Sequence, residues 1–271
     1  DRVQGGDKFS GPAIVDEAVK KTIENLADIA PLHNMYALEG IRAFEKALPD
    51  KRQVVVFDTS FHQTIPRKAY LYSIPYRYYE RYRIRKYGFH GSSHKYVVHR
   101  ASKLLNRSPE DLKLISCHLG SGASVTAIDG GKSVDTSMGF TPLEGLTMGT
   151  RSGDMDPSII SFLVEKEAMS LKRIKKFLNT ECGVLGISGI SNDFRDLEQA
   201  ALKGYNRAKL ALDIFVYDVK RYISAYIGIL NGIDALIFTA GIGENSHYLR
   251  RQICKNFTYL GLEIDKVKNR E

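Results

Sequence analysis

Handling a phosphate asks for a short repertoire of groups: backbone N–H groups gathered by glycine, the fixed fork of an arginine, an imidazole and a carboxylate. Two glycine-bearing stretches meet the first need. Residues 118–122 read HLGSG after the apolar run LISC, and residues 241–246 read GIGENS after ALIFT. Tight glycine turns aim successive N–H groups into one concavity suited to an anion, and Ser121 or Asn245 can add a side-chain donor. Glycine equally serves any turn that needs a positive φ, and for a single loop that plainer reading is the stronger. Neither stretch fits G-x-G-x-x-G or G-x-x-x-x-G-K-[ST], so a Rossmann or Walker-type assignment is poor.

Four further places carry suitable side chains. Arg151 lies in MGTRSGDMDP, a stretch with little apolar content, where its guanidinium fits phosphate or carboxylate in a bidentate manner. His90 sits in RKYGFHGSSH, where an imidazole can donate to a transferring oxygen. Asp58 ends an apolar run in VFDTSFHQTIP, as a carboxylate that holds substrate or metal would. In SNDFRD, Phe194 can stack on a base and Asp193 can approach a ribose hydroxyl. Each has a plain alternative: a surface arginine, a structural histidine, a turn aspartate, and a capping residue for the following helix.

The elements that position these residues alternate between strand and helix. RQVVVF, 52–57, reads as a buried strand feeding a loop at Asp58. SSHKYVVHRASKLL places Val97, Val98, Ala101, Leu104 and Leu105 at helical spacing behind Ser92 or Ser93 as N-cap. ASVTAIDGGKSVDTS is a hairpin around Asp129-Gly130. From 205 to 231 a long helix presents Ala208, Ala211, Leu212, Phe215, Val216, Val219, Ile223, Ile227 and Leu230 and stops at Asn231-Gly232. DALIFTAGIGENS then runs strand, glycine loop, helix start. Such alternation argues for an α/β architecture, with the Pro/Gly-dense stretch 139–157 as a hinge region.

Composition narrows the function classes. With 271 residues and 43% hydrophobic content the chain can bury a core. No window has the length of a membrane span and DRVQGGDKFS has no signal-peptide pattern, so no membrane partner and a cytoplasmic location are expected. Three well-separated cysteines without a CxxC pair argue against a disulfide framework or structural zinc. The net charge of +8 suits anionic ligands without naming one. Residues 67–87 hold seven Arg/Lys and seven tyrosines against one acid, Glu80, the composition of a single-strand nucleic-acid surface. They carry no RNA- or DNA-binding motif, and no nucleic-acid partner is expected.

Read together, VVFDTSFHQTIP, RKYGFHGSSHKYV, ISCHLGSGASVTAIDGGKSVDTSMGFTPLEGLTMGTRSGDMDP, GVLGISGISNDFRDL and LIFTAGIGENS resemble, in order and spacing, the acetate kinase family of the acetate and sugar kinase, heat-shock chaperone and actin superfamily. The resemblance covers nearly the whole chain. It implies a two-domain actin-like ATPase (ribonuclease H-like) α/β fold with mixed β-sheets flanked by helices: residues 1–109 as the remainder of an N-terminal domain, 110–271 as the nucleotide-binding domain. The implied activity is reversible transfer of the γ-phosphoryl group of ATP to acetate, giving acetyl phosphate and ADP, with Mg2+ or Mn2+ and in a homodimer. Propionate or another short-chain carboxylate is the alternative acceptor, and an inactive nucleotide-binding fragment the alternative role.

Residue by residue, the resemblance makes Asp58 the essential carboxylate and His90 and Arg151 the pair that stabilises the transferring group. His118, Leu119, Gly120, Ser121 and Gly122 become a phosphate loop. Asp193, Phe194 and Arg195 with Gly241, Ile242, Gly243, Glu244 and Asn245 hold the nucleoside end, and Arg250 flanks the base. Val3, Leu32, Phe89 and Pro142 match the apolar pocket for the acetate methyl. Ser121 stands where the family has Asn and Ser92 where it has Thr, both swaps keeping a polar group. Arg2 sits one place out of register with the family's substrate arginine. The family's first phosphate loop and its magnesium-binding glutamate fall outside these 271 residues, so no metal ligand is expected within this chain, and the chain is expected to be part of a longer enzyme or inactive alone.

Overall fold

The computed structural model describes residues 3–28 and 31–270, with the backbone alone for residues 28 and 31–33. The chain divides into two compact units, residues 1–114 with 126–142, and residues 115–125 with 143–271.

In the first unit β1 (Ala13–Ile14) pairs antiparallel with β2 (Val54–Val55), and an isolated parallel bridge joins Val3 to Phe57. Helix α1 (Glu17–Asn25) is N-capped by Asp16, whose carboxylate accepts the Val19 N–H at 2.7 Å. Helix α2 (Pro31–Ala47) follows. Val3, Val19, Ile23, Ala37, Leu38, Ile41, Val55 and Phe57 form one apolar core. The run RQVVVF is therefore not buried on both faces: Val55 and Phe57 point inward while Val54 and Val56 are exposed. Two short helices, α3 (Arg67–Tyr70) and α4 (Arg77–Tyr82), precede α5 (Gly91–Leu105). Helix α5 buries Val97, Val98 and Ala101, whereas Leu104 and Leu105 in its last turn lie exposed. It starts at Gly91 without a serine cap.

Strands β3 (Lys113–Leu119), β4 (Ala123–Asp129) and β5 (Lys132–Thr136) come next. The β4–β5 turn is the expected one: Asp129 faces Lys132 across Gly130 and Gly131, at φ 56° and 75°, the left-handed pair a two-residue hairpin turn requires. A bulge between Ala127 and Ile128 shifts the register.

The second unit is mainly helical: α6 (Ser158–Glu167), α7 (Leu171–Thr180), α8 (Gly183–Ser188), α9 (Phe194–Leu202) and α10 (Asn206–Leu230). The expected apolar face of α10 packs against α8 and α9, with Tyr226 buried where Ile227 was anticipated. Asn231 at φ 53° ends α10, and the Gly232 N–H returns to the Ile227 carbonyl at 3.0 Å. Strand β6 (Ala235–Thr239) leads into α11 (Ala240–Asn245) and α12 (His247–Cys254). The four-stranded sheet has the order β5-β4-β3-β6.

Candidate phosphoryl-transfer residues

In the first unit the chain brings Asp58 and His90 together through the start of α5. The Asp58 carboxylate accepts the His90 backbone N–H at 2.9 Å, and the Asp58 carbonyl accepts the Gly91 N–H at 2.8 Å. His90 occupies the N-cap position at φ 58°, so an acidic group from another segment satisfies the first donors of α5, where a negative charge is favourable. Asp58 thus fits the capping reading its sequence allowed, and its carboxylate stands beside the His90 backbone. Only glycine fits at 91, since a Cβ there would lie 2.3 Å from the Asp58 carbonyl oxygen. Asp58 is 9% and His90 4% exposed.

Behind this pair stands His62, which the sequence reading did not single out. One ring nitrogen, Nε2, lies 2.8 Å from the Phe89 carbonyl, and Nδ1 lies 2.9 Å from the Ser133 hydroxyl. A carbonyl can only accept, so Nε2 carries the proton and Nδ1 accepts from Ser133. Burial drives the His62 pKa down to about 4, which keeps the ring neutral. Gly88, at φ +75°, passes close over that ring; a Cβ would meet His62 at 2.6 Å. The ring thereby ties the Gly88–His90 turn to β5. Its sequence signal is the spacing FDTSFH, four residues after Asp58.

Of the expected acceptor-pocket residues, Val3 accepts the Asp58 N–H through its carbonyl at 3.1 Å, and Phe89 directly precedes His90; both are buried. The segment after Val3 is pinned by Asn34, which bonds both backbone groups of Gln4, and by Thr59, whose hydroxyl accepts the Gly5 N–H at 3.1 Å. Pro142 is half-buried. Leu32 lies in α2 with its side chain outside the described residues, and Arg2 falls outside the described residues altogether.

In the second unit three segments distant in sequence line one groove of about 700 Å³: Gly120 and Ser121, Asn192 to Arg195, and Gly241, Ile242 and Asn245. That volume suits a ligand of nucleotide size. None of Gly120, Gly122, Gly241 and Gly243 has a positive φ, so the turn explanation for these glycines fails. Gly241 has no atom within 4 Å of an added Cβ and opens on the groove. Residues 241–245 are not a loop, as the sequence suggested, but the short helix α11, because Ala240 at φ 65° turns the chain directly off β6. The Glu244 carboxylate accepts from the Thr239 hydroxyl and the Ala240 N–H, closing that turn. Asn245 donates to the Gly241 carbonyl at 2.8 Å. Gly243 and Leu119 are buried, and His118 is half-buried at the end of β3.

Asp193 caps α9 through the Arg195 N–H and pairs with the Arg195 side chain at 2.6 Å, which holds its carboxyl below the usual range. Phe194 lines the groove although it is almost wholly buried. It is 4% exposed and packs edge-on against Phe215, with centroids 4.6 Å apart. Arg250 does not line this groove: it donates to the Gly243 and Glu244 carbonyls and braces the end of α11.

Arg151 sits in a loop docked on α8, where Val184 and Leu185 donate to the Met148 and Gly149 carbonyls at 2.9 and 3.1 Å. The Gly149 N–H in turn donates to the Ser121 carbonyl at 3.1 Å, tying the arginine loop to the HLGSG loop. Gly183 is obligatory there, since a Cβ would lie 2.1 Å from the Met148 carbonyl oxygen. Among the described residues no three His, Cys, Asp or Glu side chains gather into a metal cluster. Burial pushes up the thiol pKa values of Cys117 and Cys254.

Residues 2–271 match the acetokinase family, and the chain belongs to that family. It is 59% identical over 267 residues to the acetate kinase of Acetivibrio thermocellus, covering 98% of this chain and 67% of that protein. Two solved structures superpose on it: Porphyromonas gingivalis acetate kinase, with TM-score 0.95 and 43% identity over 99% of this chain and 67% of that one, and a propionate kinase from Francisella tularensis, with TM-score 0.96 and 45% identity over 99% and 69%. The fold expected from the sequence is thus the one the chain shares with solved acetate kinases, and the chain spans about two thirds of the length of these relatives.

Proposed function

We propose that the chain belongs to an enzyme that moves the γ-phosphoryl group of ATP reversibly to the carboxylate of acetate, giving acetyl phosphate and ADP. The observation that carries this reading is the groove of the second unit, where segments centred near residues 120, 194 and 242 converge. It holds the nucleotide, with Gly120, Ser121 and Gly122 toward the phosphates and Gly241 against the nucleoside. Asp193 and Arg195 act at the rim, and Phe194 supports the floor from within the core. Arg151 supplies fixed positive charge to the equatorial oxygens of the transferring group, the contribution such transfers chiefly ask of a protein. In the first unit His90 offers its imidazole as a hydrogen-bond donor for the transfer, and Asp58 fixes the turn that presents it. The divalent ion, Mg2+ or Mn2+, travels with the nucleotide phosphates, since Mg2+ is commonly held by substrate oxygens and few side chains rather than by a protein cage.

Val3, Leu32, Phe89 and Pro142 receive the acetate methyl. One more methylene in an apolar pocket changes binding by only about 1–3 kcal/mol, so propionate is a poorer substrate rather than an excluded one. The superposition on a propionate kinase makes it the second acceptor to assay. The working form is a cytoplasmic homodimer; no helix of the described residues is long and apolar enough to cross a membrane. The test is acetyl hydroxamate formation from acetate, ATP, Mg2+ and hydroxylamine. Product that depends on acetate, ATP and Mg2+ alike supports the reading. Bound ADP with no hydroxamate, in the full-length polypeptide as well, would leave a nucleotide-binding protein without kinase activity.

A further inference from the structure

We propose that His62 is a positioning residue for the transfer: with Asp58 it clamps the Phe89–His90 peptide from both ends and so sets where the His90 imidazole and the Phe89 ring point. This inference rests on the proposed phosphoryl transfer to a small carboxylate, in which His90 serves as donor and Phe89 lines the acceptor pocket. His62 is wholly buried, so it acts only through its neighbours, all of which lie in the first unit.

The clamp acts on one peptide unit. Its carbonyl, that of Phe89, accepts from His62 Nε2 at 2.8 Å, and its N–H, that of His90, donates to the Asp58 carboxylate at 2.9 Å. A peptide unit is planar, so holding both of its polar ends fixes the plane, and with it the ψ of Phe89 and the φ of His90. That φ is 58°, a left-handed value that a non-glycine residue keeps only where its surroundings over-determine it. The flanking units are held separately. Tyr87 and Gly88 donate to the Gly139 carbonyl at 3.0 and 3.3 Å, and Gly91 donates to the Asp58 carbonyl at 2.8 Å. These bonds fix the ends of the turn and leave the plane between residues 89 and 90 to His62 and Asp58.

The imidazole of His62 is in turn held against that carbonyl. Ser133 in β5 lies 2.9 Å from Nδ1, and by donating there it keeps the proton on Nε2, the tautomer the Phe89 carbonyl needs. Gly88 passes so close that an added Cβ would meet the His62 and Thr136 side chains at 2.6 Å each. Phe61 and His94 close the edges, each with its ring centroid 5.7 Å from that of His62. The two hydrogen bonds of the ring therefore have different jobs. The bond with Ser133 orients the ring, and the bond to Phe89 orients the turn that presents His90.

Two amide side chains separate these bonds. Asparagine places a polar atom where Nδ1 lies but stops short of the Phe89 carbonyl, whereas glutamine reaches the place of Nε2 and can donate to it. In the full-length polypeptide, hydroxamate kinetics of His62→Asn should show kcat at least about tenfold lower and a weaker preference for acetate over propionate, while His62→Gln stays within about threefold of the parent. KM for ATP should be unchanged in both variants, since the nucleotide groove uses none of these residues. Hydrogen exchange, read by mass spectrometry on the same proteins, needs no activity. The His90 amide should exchange at least about tenfold faster in His62→Asn than in the parent and near the parent rate in His62→Gln, with the amides of β4 unchanged in both. Equal kinetic losses in the two variants, or no loss in either, overturn the proposal. A parent that forms no hydroxamate overturns the reading of the site and not the clamp, which then stands or falls with the exchange: a His90 amide as slow in His62→Asn as in the parent overturns it.

Discussion

Arg151 is expected to act on the transition state rather than on substrate capture. Arg151→Ala should therefore lower kcat by about 10²-fold or more with little change in KM, as steady-state hydroxamate kinetics would show; a change in KM alone removes that role. Asp58→Asn keeps an oxygen for the His90 N–H and removes the charge, so it separates the two jobs of this residue. Its melting temperature should stay near that of the parent while turnover falls. His62 is tested through pH. Its pKa is near 6.5 when unfolded and about 4 in the fold, so between these values the unfolded chain binds the extra proton. The stability that follows from keeping it neutral is complete above pH 6.5 and declines as pH falls toward 4, by about 3 kcal/mol in all. Urea titrations across that window should show this slope, and His62→Gln, whose amide can still donate to Phe89, should flatten it.

The elements that carry these residues were legible wherever a local rule decides. The α10 stripe, its Asn-Gly stop and the Asp129-Gly130 hairpin follow from periodicity and turn chemistry alone, and each is present. Where a distant segment decides, the reading failed. Ser92 and Ser93 look like caps, yet α5 starts earlier because Asp58, more than thirty residues away in sequence, supplies the acceptor. GIGEN looks like a loop because glycine is a poor helix former, yet the turn off β6 and the Glu244 cap make it helical. The edge-on packing of Phe194 on Phe215 likewise depends on where α10 packs against α9, which no local pattern states. His62 was passed over for the same reason: FDTSFH offers a histidine four residues after Asp58, but its partners Phe89 and Ser133 are remote in sequence. At this scale Gly91→Ala is the decisive change. The added methyl meets backbone rather than a movable side chain, so it should destabilise the first unit by about 1–3 kcal/mol and lower turnover as the Asp58–His90 geometry opens.

For the whole molecule, the family likeness is carried by five motif strings spread from residue 55 to residue 246. The glycine segments had a bland explanation taken singly. Their convergence on one groove, with no positive φ among the four glycines, is what makes that explanation fail. Nucleotide binding in that groove is therefore the central claim, and calorimetric titration with ADP and Mg2+ tests it most directly. Gly241 faces open space and has no positive φ, so Gly241→Leu should fold normally while filling the groove. The expected result is saturable, one-site binding to the parent chain that is lost in Gly241→Leu at an unchanged melting temperature. Binding of equal strength to both proteins, or none to the parent at millimolar ADP, would contradict the account.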